Sequence, residues 1–289
     1  MENNGGELLE EKKEGRKIAI NFEDFTFKYE SQSEPTLHNI NLKIYEGEKI
    51  VIIGASGSGK STLGHCINGL APYFYKGEIE GKLEIYGKRC KEIFEHSKYV
   101  GTVLQDSDAQ FVGLTVAEDI AFALENDEIE TTVMKEKVKE IAQFVRIETL
   151  LDLKPHDLSG GQKQKVSLAG IMVDNAKIVL YDEPLANLDP LSGKYAIELI
   201  GELHKDKKLT TVIIEHRLED VLHREIDRII VVDKGRIIAD DTPDNILKGN
   251  LLSKINMFFL LLKEHHFVVH ILHILFLPLL QSSSFLDYS

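Results

Sequence analysis

A glycine-rich segment, GASGSGKST, matches the pattern G-x-x-x-x-G-K-[ST] of loops that bind phosphate groups. Its glycines let successive backbone N–H groups point inward, and Lys60 adds a cation for the β- and γ-phosphates of a nucleotide. An apolar run before the loop and a potential helix over residues 62–70 supply the required order of strand, loop and helix. Ser61 offers a hydroxyl to Mg²⁺. The predicted nucleotide-binding residues of this loop are Gly54, Ala55, Ser56, Gly57, Ser58, Gly59, Lys60, Ser61 and Thr62.

Two adjacent carboxylates, Asp182 and Glu183, follow the apolar residues 178–181. Side chains alternate across a strand, so the two acids are predicted to have different roles. We expect Asp182 to hold Mg²⁺, which prefers hard oxygen ligands, and Glu183 to lie where a water attacks the γ-phosphate. Two solvated acids in a turn before Pro184 are the alternative, which their position roughly 120 residues after a phosphate loop disfavours.

Gln105 and His216 each close another apolar run that is predicted to be a strand. The carboxyl ends of parallel strands meet at one edge of a sheet, where α/β proteins bind ligands. We therefore expect these side chains to join Asp182 and Glu183. For either residue taken alone, a structural role at a strand end is the alternative.

The segment LSGGQ, residues 158–162, precedes a predicted helix over residues 163–172. A serine and two glycines at a helix start expose N–H donors at the positive end of the helix dipole. This arrangement predicts a second anion-binding site, and a plain helix cap is the alternative. Its residues are Ser159, Gly160, Gly161 and Gln162.

The elements that position these motifs indicate an α/β protein. Alternating apolar and polar residues predict antiparallel strands around the phosphate loop, over residues 18–29, 37–45 and 77–86. Helical periodicity follows over residues 116–124 and 132–150. The second of these helices carries an apolar stripe that we assign to the core, formed by Met134, Val138, Ile141 and Val145. A hairpin over residues 226–239 closes the predicted fold.

The composition of the 289-residue chain restricts which partners it is expected to bind. With 34 basic and 47 acidic residues the net charge is −13, which disfavours broad contact with nucleic acid or an anionic membrane surface. Cys66 and Cys90 cannot make a disulfide framework, and the start of the chain lacks the apolar core of a signal peptide, so we interpret the chain as cytosolic. Residues 1–17 are predicted to be a disordered tail, and residues 246–289 an apolar C-terminal tail.

Taken in order, these motifs resemble the nucleotide-binding domain of ATP-binding cassette (ABC) proteins. LSGGQ between the phosphate loop and the acidic strand is the specific feature, because other phosphate-loop enzymes lack it. The resemblance covers roughly residues 18–245, and the tail after it does not look like the usual C-terminal segment of the family. It rests on GASGSGKST, Gln105, LSGGQ, IVLYDE, Asn187-Leu188-Asp189 and His216.

The resemblance implies an ABC-type P-loop NTPase fold. Such a fold has a mixed sheet core, an antiparallel β subdomain and an α-helical signature subdomain, here over about residues 106–172. Within the family, the segments VGTVLQD and DAQFVG are similar to ATPases of energy-coupling-factor importers. The segments INGLAPYFYKGEIEG, PLANLDP and IIEHRLEDV are similar to the first cassette of tandem-cassette members that are associated with cofactor uptake.

The resemblance also implies a working scheme. Two cassettes, identical or different, would stack head to tail, with each ATP between the phosphate loop of one and the LSGGQ of the other. Tyr29 would stack on adenine, and Asp189 would belong to the nucleotide-binding set. Gln105 would sense Mg²⁺ and relay its state to the membrane partner. His216 would contact the γ-phosphate beside the catalytic Glu183.

The sequence thus predicts an ATP hydrolase that uses ATP and Mg²⁺ to energise a membrane importer of a vitamin, cofactor precursor or metal ion. It would act at the cytoplasmic face of the cell membrane through transmembrane partner subunits. A soluble ABC ATPase of DNA repair or translation is one alternative, but it would need a long coiled-coil insertion or two cassettes in the chain. A non-hydrolytic regulatory cassette is another, which the intact Glu183 and His216 disfavour.

Overall fold

The computed structural model describes residues 15–104, 110–174, 176–186, 190–216 and 225–248. Internal contacts divide the chain into two units, residues 1–245 and 246–289. Of the predicted C-terminal tail, only residues 246–248 fall within the described ranges.

The strands of the described chain form two sheets. They are β1 (Ile18–Tyr29), β2 (Leu37–Tyr45), β3 (Lys49–Ile53), β4 (Gly77–Ile85), β5 (Val100–Val103), β6 (Ile178–Asp182), β7 (Thr210–Ile214), β8 (Arg228–Asp233) and β9 (Arg236–Asp241). The α-helices are α1 (Lys60–Asn68), α2 (Leu70–Tyr73), α3 (Ile93–Ser97), α4 (Val116–Asn126), α5 (Thr131–Phe144), α6 (Gly160–Met172), α7 (Pro190–Lys207) and α8 (Pro243–Lys248). Single 3₁₀ turns span Glu148–Leu150 and Pro155–Asp157.

The larger sheet has six strands in the order β5-β6-β7-β3-β8-β9. All neighbouring pairs are parallel except β8 and β9, which form the predicted closing hairpin. Every residue of β3 and β7 is buried, as expected where both faces of a parallel sheet are covered. Because β3, β6 and β7 run in the same direction, the segments that follow them emerge at one edge.

The smaller sheet is antiparallel, with the order β2-β1-β4. Phenylalanines of β1 pack into the same core as β3, β6 and β7, and Phe22, Phe25 and Phe27 are nearly inaccessible. The phosphate loop does not lie among these strands. Its strand β3 belongs to the larger sheet, since the continuous apolar run KIVII suits a strand covered on both faces.

A second core joins α4, α5 and α6 and confirms the predicted apolar stripe. Val138, Ile141 and Val145 are buried, and Met134 packs against them. The predicted helix over residues 132–150 was too long, because α5 ends at Phe144. Arg146 adopts a left-handed φ of 61°, which an α-helix of L-residues cannot continue through.

The amino-terminal boundary also differs from the prediction. Lys17 accepts a backbone hydrogen bond from Glu46, and Arg16 forms an ion pair of 3.5 Å with Glu48. These two residues of the predicted tail therefore contact the domain. Among the residues that the structure describes, no helix is both long enough and apolar enough to cross a membrane.

Candidate functional site

The phosphate-loop sequence connects β3 to α1, as its motif predicts. Gly59 caps the helix with a φ of 106°, a conformation that favours glycine. A Cβ added to Gly54 would collide with the carbonyl oxygen of Val232. The loop is fixed to the turn between β8 and β9, because Gly235 N donates a 2.8 Å hydrogen bond to Ser58 O. This backbone cannot accept a side chain at Gly54 without moving.

Lys60 is the first residue of α1 and is only 4% exposed. Its Nζ donates hydrogen bonds to Gly54 O at 2.8 Å and Ala55 O at 3.0 Å, so it lies directly under the loop. Burial lowers the pKa of this amine because it disfavours the charged form, and nearby carboxylates oppose the shift. The opposing charges are those of Glu183, Asp182 and Glu215.

The first turn of α1 also carries Ser61 and Thr62. The Tyr29 hydroxyl donates a 3.1 Å hydrogen bond to Thr62 Oγ1, and the Tyr29 ring meets the Phe27 ring edge-to-face with centroids 4.8 Å apart. Tyr29 thus lies beside the end of the phosphate loop, half-buried. Its contact with adenine stays a prediction.

Asp182 ends β6, next to the end of β7. Its Oδ1 is buried and accepts no hydrogen bond from any residue within the described ranges. Burial raises the pKa of Asp182, and the negative charge of Glu183 raises it further against the attraction of Lys60 and His216. An unpaired buried carboxylate oxygen is costly, and a hard cation such as Mg²⁺ would satisfy it. The residue therefore fits its predicted metal-binding role.

Glu183 and His216 form a direct pair, with 3.0 Å between Glu183 Oε2 and His216 Nε2. The structure corrects the position of Glu183, because β6 ends at Asp182 and Glu183 has a left-handed φ of 51°. The turn, rather than strand alternation, separates the two acids. A 2.9 Å hydrogen bond from Glu183 N to Ile214 O holds this turn against β7.

The LSGGQ segment forms the predicted helix start, although α6 begins at Gly160, earlier than expected. Ser159 is the cap: its hydroxyl accepts from Gln162 N, and its own N–H donates to Gln162 Oε1 at 2.9 Å. This reciprocal arrangement is a capping box. Ser159 and Gly160 are exposed, while Gly161 is half-buried. The polar surface at this helix end is therefore accessible to another molecule.

The structure brings together Lys60, Asp182, Glu183 and His216 at the carboxyl edge of the larger sheet. Gln105 and Asp189 lie outside the described residues, so their predicted roles stay predictions. Sequence reasoning missed one buried acid at this edge, Glu215, which directly precedes His216. The signal available was a carboxylate in place of an apolar residue at the end of a β-branched run.

The fold and the side chains at the carboxyl edge of the larger sheet define a phosphate-loop nucleotide-binding domain with an acidic strand end. Residues 37–186 match the family model described as ABC transporter. The chain therefore belongs to the ABC transporter family, as an ATP-binding domain. Members of this family hydrolyse ATP through such domains. The family match also confirms the predicted fold class.

Two curated relatives are named putative ABC transporter ATP-binding proteins. The one from Vibrio parahaemolyticus is 59% identical over 237 residues, which are 81% of this chain and 41% of the relative. The one from Clostridium perfringens is 58% identical over 241 residues, or 83% and 42% of the two chains. The chain thus spans less than half the length of these relatives.

A solved structure is also similar. It is cbiO1 from Clostridium perfringens, described as part of the ABC transporter complex cbiONQ. The match has a TM-score of 0.72 and 29% identity, and it covers 83% of this chain and 95% of that chain. This likeness agrees with the assignment to the ABC transporter family.

Proposed function

We propose that this chain binds and hydrolyses ATP to energise a membrane importer of the energy-coupling-factor type. The observation that carries the proposal is the convergence of a buried lysine, two carboxylates and a histidine beside one phosphate loop. They come from the end of β6, the end of β7 and the start of α1, so the fold assembles them. They are Lys60, Asp182, Glu183 and His216.

Substrate phosphates would be held by the loop backbone and by Lys60. Lys60 Nζ now donates to the carbonyls of Gly54 and Ala55, and its position under the loop allows it to redirect these donors to a β- or γ-phosphate oxygen. The N-terminus of α1 supports the same negative charge through its free N–H groups and dipole. Tyr29, beside Thr62, would contact the adenine ring.

Asp182, Ser61 and Gln105 would hold the metal ion. Mg²⁺ held there would neutralise negative charge that develops during phosphoryl transfer. The buried Oδ1 of Asp182 supports this assignment, because binding to a cation would remove the cost of leaving that oxygen unpaired.

Glu183 would act as the general base that accepts a proton from the attacking water. Its contact of 3.0 Å with His216 limits how far either side chain can rotate. His216 is exposed, so it can orient Glu183 and also reach the γ-phosphate. Both roles demand that the two turns carrying these residues keep their relative position.

A second ABC subunit would complete the site. The accessible Ser159 and Gly160 support this arrangement, because their helix end could bind the γ-phosphate of ATP held by a partner cassette. The matched relatives are more than twice as long as the region of similarity, which leaves room for a second cassette in those proteins. In this chain the partner would be another copy or a different cassette.

Transmembrane subunits would anchor the pair at the cytoplasmic face of the membrane. The likeness to a component of the cbiONQ transporter complex supports an importer. The substrate class would be a vitamin, a cofactor precursor or a metal ion. No role with nucleic acid is proposed, in agreement with the net charge of −13.

Two measurements test the proposal. Purified chain is assayed for Mg²⁺-dependent phosphate release from ATP, and tagged chain expressed in its native cell is isolated from a mild detergent extract of membranes. We expect hydrolysis and co-isolation with integral membrane proteins. Phosphate release no faster than in buffer without protein would contradict the proposed ATP hydrolysis. Recovery only from the soluble fraction, with DNA or ribosomes, would favour the non-transport alternative.

A further inference from the structure

We propose that Glu215 is a positioning residue that holds Glu183 and His216 in register. The inference rests on the proposed hydrolytic function, but its structural part can be tested without turnover. Glu215 is 1% exposed and follows the last residue of β7. It lies between the two turns that carry the reacting side chains and belongs to neither the predicted metal site nor the phosphate loop.

Each oxygen of the Glu215 carboxylate accepts a hydrogen bond from a different turn. Leu185 N donates to Oε1 at 3.1 Å, and His216 N donates to Oε2 at 3.1 Å. Leu185 lies two residues after Glu183, in the turn that follows β6. One buried side chain therefore connects the backbone behind Glu183 with the backbone of His216.

The turn after β6 needs such an anchor because Glu183 has a left-handed φ of 51°. For a residue other than glycine this conformation costs free energy and persists only when the surroundings determine it. The hydrogen bond from Glu183 N to Ile214 O restrains one side of the turn. Glu215 restrains the other side at Leu185, whose side chain is also buried.

A carboxylate is the group that can satisfy both turns. It presents two acceptor oxygens, whereas an amide presents one acceptor and an NH₂ group. In Glu215→Gln, the NH₂ group of the glutamine would therefore face the backbone N–H of either Leu185 or His216. That backbone N–H would lose its acceptor. The negative charge of Glu215 also lies near Lys60, and hydrogen bonds to a charged acceptor are the stronger kind.

The test compares Glu215→Gln with wild type in the full chain. We expect kcat for ATP hydrolysis to fall about 10- to 100-fold, because small displacements of catalytic groups have effects of this size. The Kd for ATP should stay within about twofold, since the phosphate loop is untouched. Amide hydrogen exchange, followed by NMR, should accelerate at Leu185 and His216 while β6 and β7 keep their protection.

Glu48→Gln is the matched control. Glu48 is a second carboxylate with 2% exposure, but it lies at the amino end of β3 and pairs with Arg228. We expect this control to lower the thermal midpoint while kcat of the folded protein stays unchanged. If Glu215→Gln gave the same pattern as the control, Glu215 would be structural and the proposal would be overturned.

Glu215→Asp covers the case in which the glutamine variant does not fold. Aspartate keeps the charge but is one methylene shorter, so it cannot span both amides. We expect it to fold, to lower kcat several-fold and to lose protection at one of the two amides. Unchanged exchange at Leu185 and His216 in a folded variant would refute the positioning role even if the wild-type chain showed no hydrolysis. Failure of hydrolysis alone would count against the proposed function instead.

Discussion

The buried charges near the two ends of β3 differ in how they are paired. At the amino end, Arg228 donates to Glu48 Oε2 at 2.8 Å and to both carboxylate oxygens of Asp240. At the carboxyl end, Lys60 donates to the loop carbonyls of Gly54 and Ala55, and Asp182 Oδ1 accepts from no described residue. The first end is a paired network, whereas at the second Lys60 forms no ion pair, and Asp182 Oδ1 no hydrogen bond, with the residues that the structure describes.

The pKa shifts show the same contrast. Burial lowers the pKa of Arg228, but the hydrogen bonds and charges of Asp240 and Glu48 outweigh it and leave the pKa raised. For Lys60 burial prevails and the pKa is lowered, and for Asp182 it prevails and the pKa is raised. The charged forms at the carboxyl end are therefore disfavoured until a ligand compensates them, which is typical of functional sites. We expect the paired amino end to stabilise the fold.

The largest expected effect is that of Glu183→Gln at the carboxyl end. Loss of the general base should lower turnover by about 10²–10⁴ while ATP affinity is retained. Phosphate release and equilibrium binding of ATP measure the two quantities on the same preparation. A stable ATP-bound pair of cassettes should also accumulate, visible by size-exclusion chromatography. Turnover near the wild-type rate would mean that another group positions the water.

Lys60→Ala should abolish ATP binding, with affinity at least about 100-fold weaker, because the loop loses a charged donor to the phosphates. Titration calorimetry with Mg-ATP measures this change. Lys49→Met is the matched control, since Lys49 is 2% exposed at the opposite end of β3. The control should bind ATP within about twofold of wild type. Similar losses of ATP affinity in both variants would contradict the proposed difference between the two ends of β3.

Glu48→Gln should lower the free energy of unfolding by about 1–3 kcal/mol, because a buried hydrogen bond to the charged Arg228 is weakened. For a domain of this size, each kcal/mol corresponds to about 2–4 °C in thermal midpoint. Circular dichroism during heating measures the shift. An unchanged midpoint would show that the amino-end network does not stabilise the fold.

The smallest expected effect is that of Asp182→Asn, a change in thermal stability opposite in sign to that of Glu48→Gln. The pKa of Asp182 is raised in the folded state, so the folded state binds this proton more tightly than the unfolded state does. Ionisation of Asp182 therefore lowers the stability of the fold as pH rises from the ordinary carboxyl pKa through the raised one. Above that window the amide should raise the midpoint of nucleotide-free protein by about 2–4 °C or less. Asp240→Asn is the control and should lower it, because Asp240 is paired with Arg228. A lower midpoint for both would contradict the comparison.

Local patterns in the sequence were sufficient for most of the elements. Alternation predicted β1 and β2, and the apolar runs predicted β3, β6 and β7, because periodicity and residue type act over a few neighbours. Boundaries were less certain where the backbone changes sign of φ. Arg146 and Glu183 both adopt left-handed conformations, and neither residue type signals this, so α5 and β6 ended earlier than predicted.

The sequence by itself determined which groups bind phosphate and which are candidates for catalysis, because loop motif, acidic strand end and LSGGQ each have a local chemical meaning. Only the tertiary structure decided which buried charges are paired. Arg228 and Glu48 are 180 positions apart, and Glu215 and Leu185 are 30 apart. Their contacts depend on the strand order β6-β7-β3-β8, which packing of the whole sheet establishes and no single segment encodes.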